Sequence, residues 1–300
     1  MITFLFGRPG TGKTYRMVEE IRAHIEAGNT RVYMLVPEQQ AYSAERDVLS
    51  ALPPNATEFF SILSFTRLCD EAEGTYGGRA SQHMSRAMKT VLMWENLRSL
   101  QGITEYYTTD VAGDASLCRK MLQTAQELKV NAVSSATLEH VADKLPADAP
   151  LRCKLRDLAL ICSSYDGLVS EIYGETAVDR MLRAAEAIDK GDFFQDAVVY
   201  IDSFTSFTAQ EYAVLRPLFR QAKEVIISVG CSGRMDDLPQ FDSMRDSVNR
   251  LTKLCSDLNR AYTDEHLRED YRGLPAELRL LGDHLWDFEY SANDEGNYSA

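Results

Sequence analysis

Ile2-Thr3-Phe4-Leu5-Phe6-Gly7-Arg8-Pro9-Gly10-Thr11-Gly12-Lys13-Thr14 is the stretch whose reading decides the fold. Ile2 to Phe6 is a short apolar run of the kind that forms a buried strand. The next eight residues match G-x-x-x-x-G-K-[ST], and Tyr15 to Ala27 follows with a helical pattern. Strand, glycine loop and helix, in that order, is the context in which this pattern cradles phosphate. Gly7, Gly10 and Gly12 let the backbone curl, so that its N–H groups, those of Arg8 and Thr11 among them, point at phosphate oxygens. The helix N-terminus adds partial positive charge. Lys13 is placed to reach the β- and γ-phosphates, and the Thr14 hydroxyl to ligate Mg²⁺. ATP and Mg²⁺ are therefore the expected ligands. The plain alternative is a glycine-rich turn that binds nothing.

Outward from this loop, strands and helices alternate. Val32 to Val36 reads as a second buried strand, ended by Pro37-Glu38-Gln39-Gln40. Ala41 to Leu52 reads as a helix, and Phe59 to Ile62 as a third strand leading into Leu63-Ser64-Phe65-Thr66-Arg67-Leu68. Alternation after a phosphate loop predicts a parallel α/β sheet of P-loop NTPase type. Ligands of such sheets bind beyond the carboxyl ends of the strands, which puts Gln39, Phe65 and Arg67 at the functional rim. A solvated loop residue for Gln39 and a core ring for Phe65 are the competing readings.

From Ser81 the pattern turns helical, over 82–100, 114–130, 134–145, 150–173 and 176–190, with Gly74, Gly77 and Gly78 at the entrance. This predicts an all-helical subdomain inserted into the α/β fold. The expected organisation is 1–80 and 196–290 for the two parts of the α/β domain, 81–195 for the insertion, and 291–300 for a polar tail. The sheet resumes at Ala197-Val198-Val199-Tyr200-Ile201-Asp202. An apolar strand ending in a carboxylate is the Walker B pattern, with Asp202 holding Mg²⁺ through water. The residue after it is Ser203, not the Glu that would orient an attacking water, so slow or absent hydrolysis is expected. Thr208 and Glu211 form a capping-box pattern at the start of a helix over 208–221. Glu224 to Val229 reads as a further strand, and 245–260 and 275–288 as helices. No residue is assigned a catalytic role.

Composition narrows the classes. The chain has 300 residues, 45% of them hydrophobic, and a formal net charge of −13. A chain this acidic is not a generic nucleic-acid coat, although a local basic groove remains compatible with it. No stretch approaches the ~20 apolar residues of a membrane span, and no secretory leader is read at the N-terminus, so a cytoplasmic protein without membrane contact is expected. The six cysteines contain no C-x-x-C pair and the five histidines no metal spacing, as for reduced intracellular thiols.

The residues also resemble a known family, the AddB component of AddAB-type ATP-dependent helicase–nucleases. The likeness rests on the phosphate loop, Leu35-Val36-Pro37-Glu38-Gln39, Ser64-Phe65-Thr66-Arg67-Leu68, and Tyr200-Ile201-Asp202-Ser203-Phe204 running into Phe207-Thr208. Glu127-Leu128-Lys129 and Lys154-Leu155-Arg156-Asp157-Leu158-Ala159 match its helical part. The resemblance implies a superfamily 1 helicase-like domain, with glycine in place of Ser203 in most members. It implies a motor that has lost translocation but kept a nucleotide site, and that binds single-stranded DNA at DNA ends beside an A-type motor and nuclease subunit. DNA contacts would come from Gln39, Phe65, Arg67, Phe204 and Phe207, with core packing the competing reading for the last two. The family's nuclease domain and iron–sulphur cysteines are expected beyond this stretch, so no cluster ligand is assigned. A P-loop kinase and a structural module with a vestigial loop are the alternatives.

Overall fold

Ile2 to Phe6 form β1, buried along its whole length. After it come α1 (Lys13–Glu26), β2 (Val32–Leu35), α2 (Ala41–Ala51), β3 (Phe60–Leu63), α3 (Phe65–Tyr76), α4 (Arg86–Ser99), α5 (Ala115–Val130), α6 (Ser135–Asp143), α7 (Pro150–Tyr173), α8 (Arg180–Lys190), β4 (Val198–Ile201), α9 (Ala209–Gln221), β5 (Glu224–Val229), α10 (Asp242–Asp257), β6 (Tyr262–His266) and α11 (Ala276–His284). This computed structural model describes residues 1–28, 31–77, 84–107, 114–173, 180–236 and 238–284. The expected turn at Gly78, the expected helix starts at Gln82 and Thr176, the end of the last helix near Phe288 and the polar tail from Ser291 lie outside the described residues.

The strands form one sheet in the order β3-β2-β4-β5-β1-β6. Every neighbouring pair is parallel. The α/β class with a parallel, P-loop-like sheet is thus as the sequence predicts. Parallel pairing needs long crossovers, and strands covered on both faces read as apolar runs rather than alternating ones. On one face, Met17, Val18, Ile21 and Ile25 of α1 repeat at helical spacing and pack with Leu5, Met34, Tyr200 and Ile226 of the strands. Full burial of such a side chain contributes roughly 1.5–3 kcal/mol each. On the other face, Val248 and Leu251 of α10 stand against Ile227 and Val229 of β5.

The chain divides into two compact units. The first comprises Met1–Leu68, Asp192–Phe207 and Arg216–Ala300; the second comprises Cys69–Gly191 and Thr208–Leu215. The second unit has its own core of Leu92, Met93, Leu97, Met121, Leu122, Leu158, Ile161 and Val169, among others. Three of its helices, α4, α5 and α6, begin where a short polar side chain accepts an orphan backbone donor. Ser85 accepts from Met88 N, Asp114 from Ser116 N and Leu117 N, and Ser134 from Thr137 N. Such a cap contributes about 1 kcal/mol. Asp157, 5% exposed, accepts from the backbone N–H groups of Glu105, Tyr106 and Tyr107 at 3.2, 2.7 and 3.0 Å, which fixes the loop after α4.

Two elements have no counterpart in the sequence reading. One is α3, whose start is marked by Ser64 accepting from Arg67 N at 3.3 Å. The other is β6, Tyr-Thr-Asp-Glu-His, which pairs only with β1 at the sheet edge and is largely half-exposed. An edge strand tolerates charge and so carries no apolar run to betray it.

Candidate nucleotide site

All the residues of this site belong to the first unit. β1 delivers the chain into the loop 7–12, and Gly7 N donates to Val229 O of the neighbouring strand end at 3.1 Å. Gly12 is the residue before α1 and has φ +80°, a conformation that L side chains rarely adopt. Gly10 has φ +91°, and a Cβ there would collide with the Arg272 side chain. Thr11 is 6% exposed and braces the loop from inside, its hydroxyl donating to Arg8 O at 2.9 Å. The Arg8 guanidinium is engaged elsewhere, 3.5 Å from Asp236 and over the Phe241 ring, so this position offers the loop its backbone. Lys13 donates to the carbonyls of Gly7 and Arg8, which folds its ammonium back over the loop. Burial pushes the Lys13 ammonium below its ordinary value, against the opposing pull of Asp202 and Cys231.

Thr14 and Asp202, 188 positions apart in sequence, meet at 2.8 Å, Thr14 Oγ1 donating to Asp202 Oδ2. The other carboxylate oxygen, Oδ1, accepts from Ser203 N at 2.9 Å and from Ser228 Oγ. Asp202 is 4% exposed, and a buried carboxylate of this kind is costly unless such donors surround it. Beside this pair lies an open cavity of about 320 Å³, lined by Pro9, Gly10, Gly12, Lys13, Thr14 and Asp202 together with Tyr15, Ser203–Thr205, Ser228, Gly230 and Met244. A hydroxyl beside a carboxylate is a hard oxygen pair, which suits Mg²⁺ because that ion takes few protein ligands and keeps water and phosphate oxygens. The donor set and the loop therefore fit a magnesium nucleotide. Asp202 is the one carboxylate among the described residues lining the cavity. Glu211, the nearest downstream candidate, binds its own helix start: Thr208 N donates to Glu211 Oε2 at 2.7 Å and Glu211 N to Thr208 Oγ1 at 3.3 Å.

The rim candidates separate by exposure. Gln39 is exposed in a short 3₁₀ turn, Glu38–Gln40, directly after β2. Arg67 is exposed and pairs with Glu45 at 3.0 Å. Phe65 and Phe207 are buried, at 5% and 8% exposure. Phe65 meets Phe204 and Phe207 edge-on, and Phe204 stacks on Phe207 at 4.8 Å between centroids. The three rings thus pack together, although the strands that lead to them, β3 and β4, are separated in the sheet by β2. Phe204 is half-buried and lines the cavity beside the phosphate loop.

Sequence reasoning missed three neighbours of the loop. Tyr271, 70% exposed, donates its backbone N–H to Gly10 O at 3.0 Å and lays its ring beside Gly12. Arg272 lies against Gly10 and is held by Asp270 at 2.7 Å. Both follow β6, whose pairing with β1 brings them there; without that strand the sequence holds no signal for them. Ser228 is the third, and its place depends on strand order alone.

A family model described as "ADDB, N-terminal" matches residues 4–281. Similar curated proteins are named as the B-type subunit of an ATP-dependent helicase/deoxyribonuclease. The one from Thermoanaerobacter sp. (strain X514) is 28% identical over 300 aligned residues, covering 96% of this chain and 26% of that protein. Those from Acetivibrio thermocellus and Desulforudis audaxviator are each 30% identical, covering 85% of this chain and 22% of theirs. The chain thus spans about a quarter of the length of the curated relatives it matches. No helix among the described residues is long and apolar enough to cross a membrane.

Proposed function

The chain belongs to the family of AddB N-terminal regions, and from that premise we propose that its first unit is a magnesium-nucleotide-binding, single-strand-facing module of an ATP-dependent helicase–nuclease that does not itself act as a motor. The observation that supports this best is the Thr14–Asp202 contact at the wall of the cavity beside the phosphate loop. Loop amides and Lys13 would bind the phosphates, Thr14 and Asp202 would hold Mg²⁺, and the Tyr271 ring would lie along the base. Bound Mg²⁺ would neutralise phosphate charge. Among the described residues lining the cavity there is no second carboxylate to orient water: Ser203 follows Asp202, and Glu211 caps a helix. Single-stranded DNA would cross the strand ends at Gln39 and Arg67, where Arg67 exchanges Glu45 for a phosphate, with Phe65, Phe204 and Phe207 as the apolar support beneath. In the full-length protein the module would serve the processing of DNA ends in the cytoplasm, together with an A-type motor and nuclease subunit.

The test has two readouts. Calorimetric titration with Mg-ATP should show saturable binding that Lys13→Ala weakens at least tenfold, and ATP turnover with single-stranded DNA should stay at background. Robust DNA-stimulated turnover abolished by Lys13→Ala would refute the silent-motor reading. No nucleotide binding at millimolar ATP would refute the site itself.

A further inference from the structure

We infer that Ser228 is a positioning residue for Asp202, setting the carboxylate that would anchor the magnesium of a bound nucleotide; the inference rests on the nucleotide-site reading above. Strand order is the first reason. β5 lies between β1, which leads into the phosphate loop, and β4, which ends at Asp202. Register pairs Ser228 with Leu5 on one side, and Ile227 with Ile201 on the other, so Ser228 stands level with Asp202. Strands one apart in a sheet are separated by about 4.8 Å, so the strands carrying the two halves of the site are about 10 Å apart. The Thr14–Asp202 contact bridges that gap over β5, and Ser228 is the residue of β5 beneath the bridge.

Hydrogen bonding is the second reason. Ser228 Oγ donates to Asp202 Oδ1 and accepts from Ser203 N at 3.2 Å. Ser203 N also reaches the same Oδ1, at 2.9 Å. Ser228 and Asp202 are both nearly inaccessible, at 6% and 4% exposure, so water is a poor substitute for either donor. With Oδ1 held by two donors, rotation of the carboxylate is blocked and Oδ2 is the oxygen turned to Thr14. A hydroxyl on the intervening strand thus orients a group it shares no element with. Partners of this kind typically change metal affinity by about 10–100-fold when removed.

The experiment is a titration of the chain with ATP, followed by calorimetry, once with Mg²⁺ and once with EDTA, for wild type, Ser228→Ala, Ser228→Thr and Ser228→Cys. Loop amides and Lys13 bind phosphate without the metal, so the EDTA affinity of Ser228→Ala should equal that of wild type. Its Mg²⁺-dependent gain should fall about tenfold. Ser228→Thr keeps the hydroxyl and should restore the gain. If Ser228→Ala does not fold, Ser228→Cys keeps the size with a weaker donor and should lose the gain in its place. An unchanged gain in the hydroxyl-free variants, or equal losses with and without Mg²⁺, would overturn the inference. A wild-type chain that binds ATP under neither condition would overturn the nucleotide-site reading and the inference with it; one that binds ATP without any Mg²⁺-dependent gain would overturn the inference and the magnesium role of Thr14 and Asp202, and leave nucleotide binding by the loop standing.

Discussion

Ser203 carries two consequences of the same backbone choice. Its φ is +66°, which for a residue with a Cβ costs roughly 1–2 kcal/mol. That conformation aims its N–H at Asp202 Oδ1 and Ser228 Oγ, so the strain sits where the carboxylate is fixed. Glycine adopts this φ freely. The gain is partly offset by the larger entropy of an unfolded glycine, about 0.5–1 kcal/mol. Ser203→Gly should therefore raise stability by a few tenths to about 1 kcal/mol, read as a higher urea midpoint at unchanged slope. A loss of about 1 kcal/mol or more would show that the Ser203 side chain itself holds the strand end. Asp202 was legible in the sequence because an apolar run ends on it. Ser228 was not, since its meaning comes from β5 lying between two other strands rather than from any neighbour in the chain.

β6 shows how an element can be invisible in sequence yet firmly tied. The Arg234 guanidinium lies 5.1, 5.9 and 5.2 Å from the ring centroids of Phe4, Phe6 and Tyr262. It grips Asp264 of β6 with two nitrogens and Thr252 of α10 with a third contact at 2.8 Å. One side chain from the loop after β5 thereby joins β1, β6 and α10. Forked Arg–carboxylate pairs and cation–π contacts are among the stronger polar interactions. Arg234→Met keeps the apolar stem and removes both, and should cost about 1–3 kcal/mol. Hydrogen exchange should show the loss concentrated in the amides of β6; protection there equal to wild type would refute the staple. The buried strands and the longer helices were readable because apolar runs and helical periodicity are local signals. α3 and β6 were not: α3 begins directly at a strand end within one short polar-apolar mixture, and β6 is specified by its partners. The aromatic candidates at the rim were ambiguous for the same reason, since only the three-dimensional structure shows that Phe65, Phe204 and Phe207 meet.

At the scale of the whole molecule, the two units carry separate apolar clusters, and every residue of the nucleotide site lies in the ranges of the first. A ligand stabilises what it binds by mass action, by about 2.7 kcal/mol at one hundred times its Kd, or close to a hundredfold in the opening equilibrium. Regions that open independently of the site gain nothing from it. Saturating Mg-ATP should therefore slow exchange of the amides of β1, α1, β4 and β5 by up to about a hundredfold. The amides of α4, α5, α6 and α7 should exchange as before, because their protection comes from a core that holds no site residue. Equal protection of both sets would show that the two cores open in one cooperative step, and the division into separately stable units would fail. Protection confined to α4–α7 would place the nucleotide in the wrong unit altogether. The measurement thus reads the location of the ligand and the independence of the units from the same sample, without a substitution anywhere in the chain.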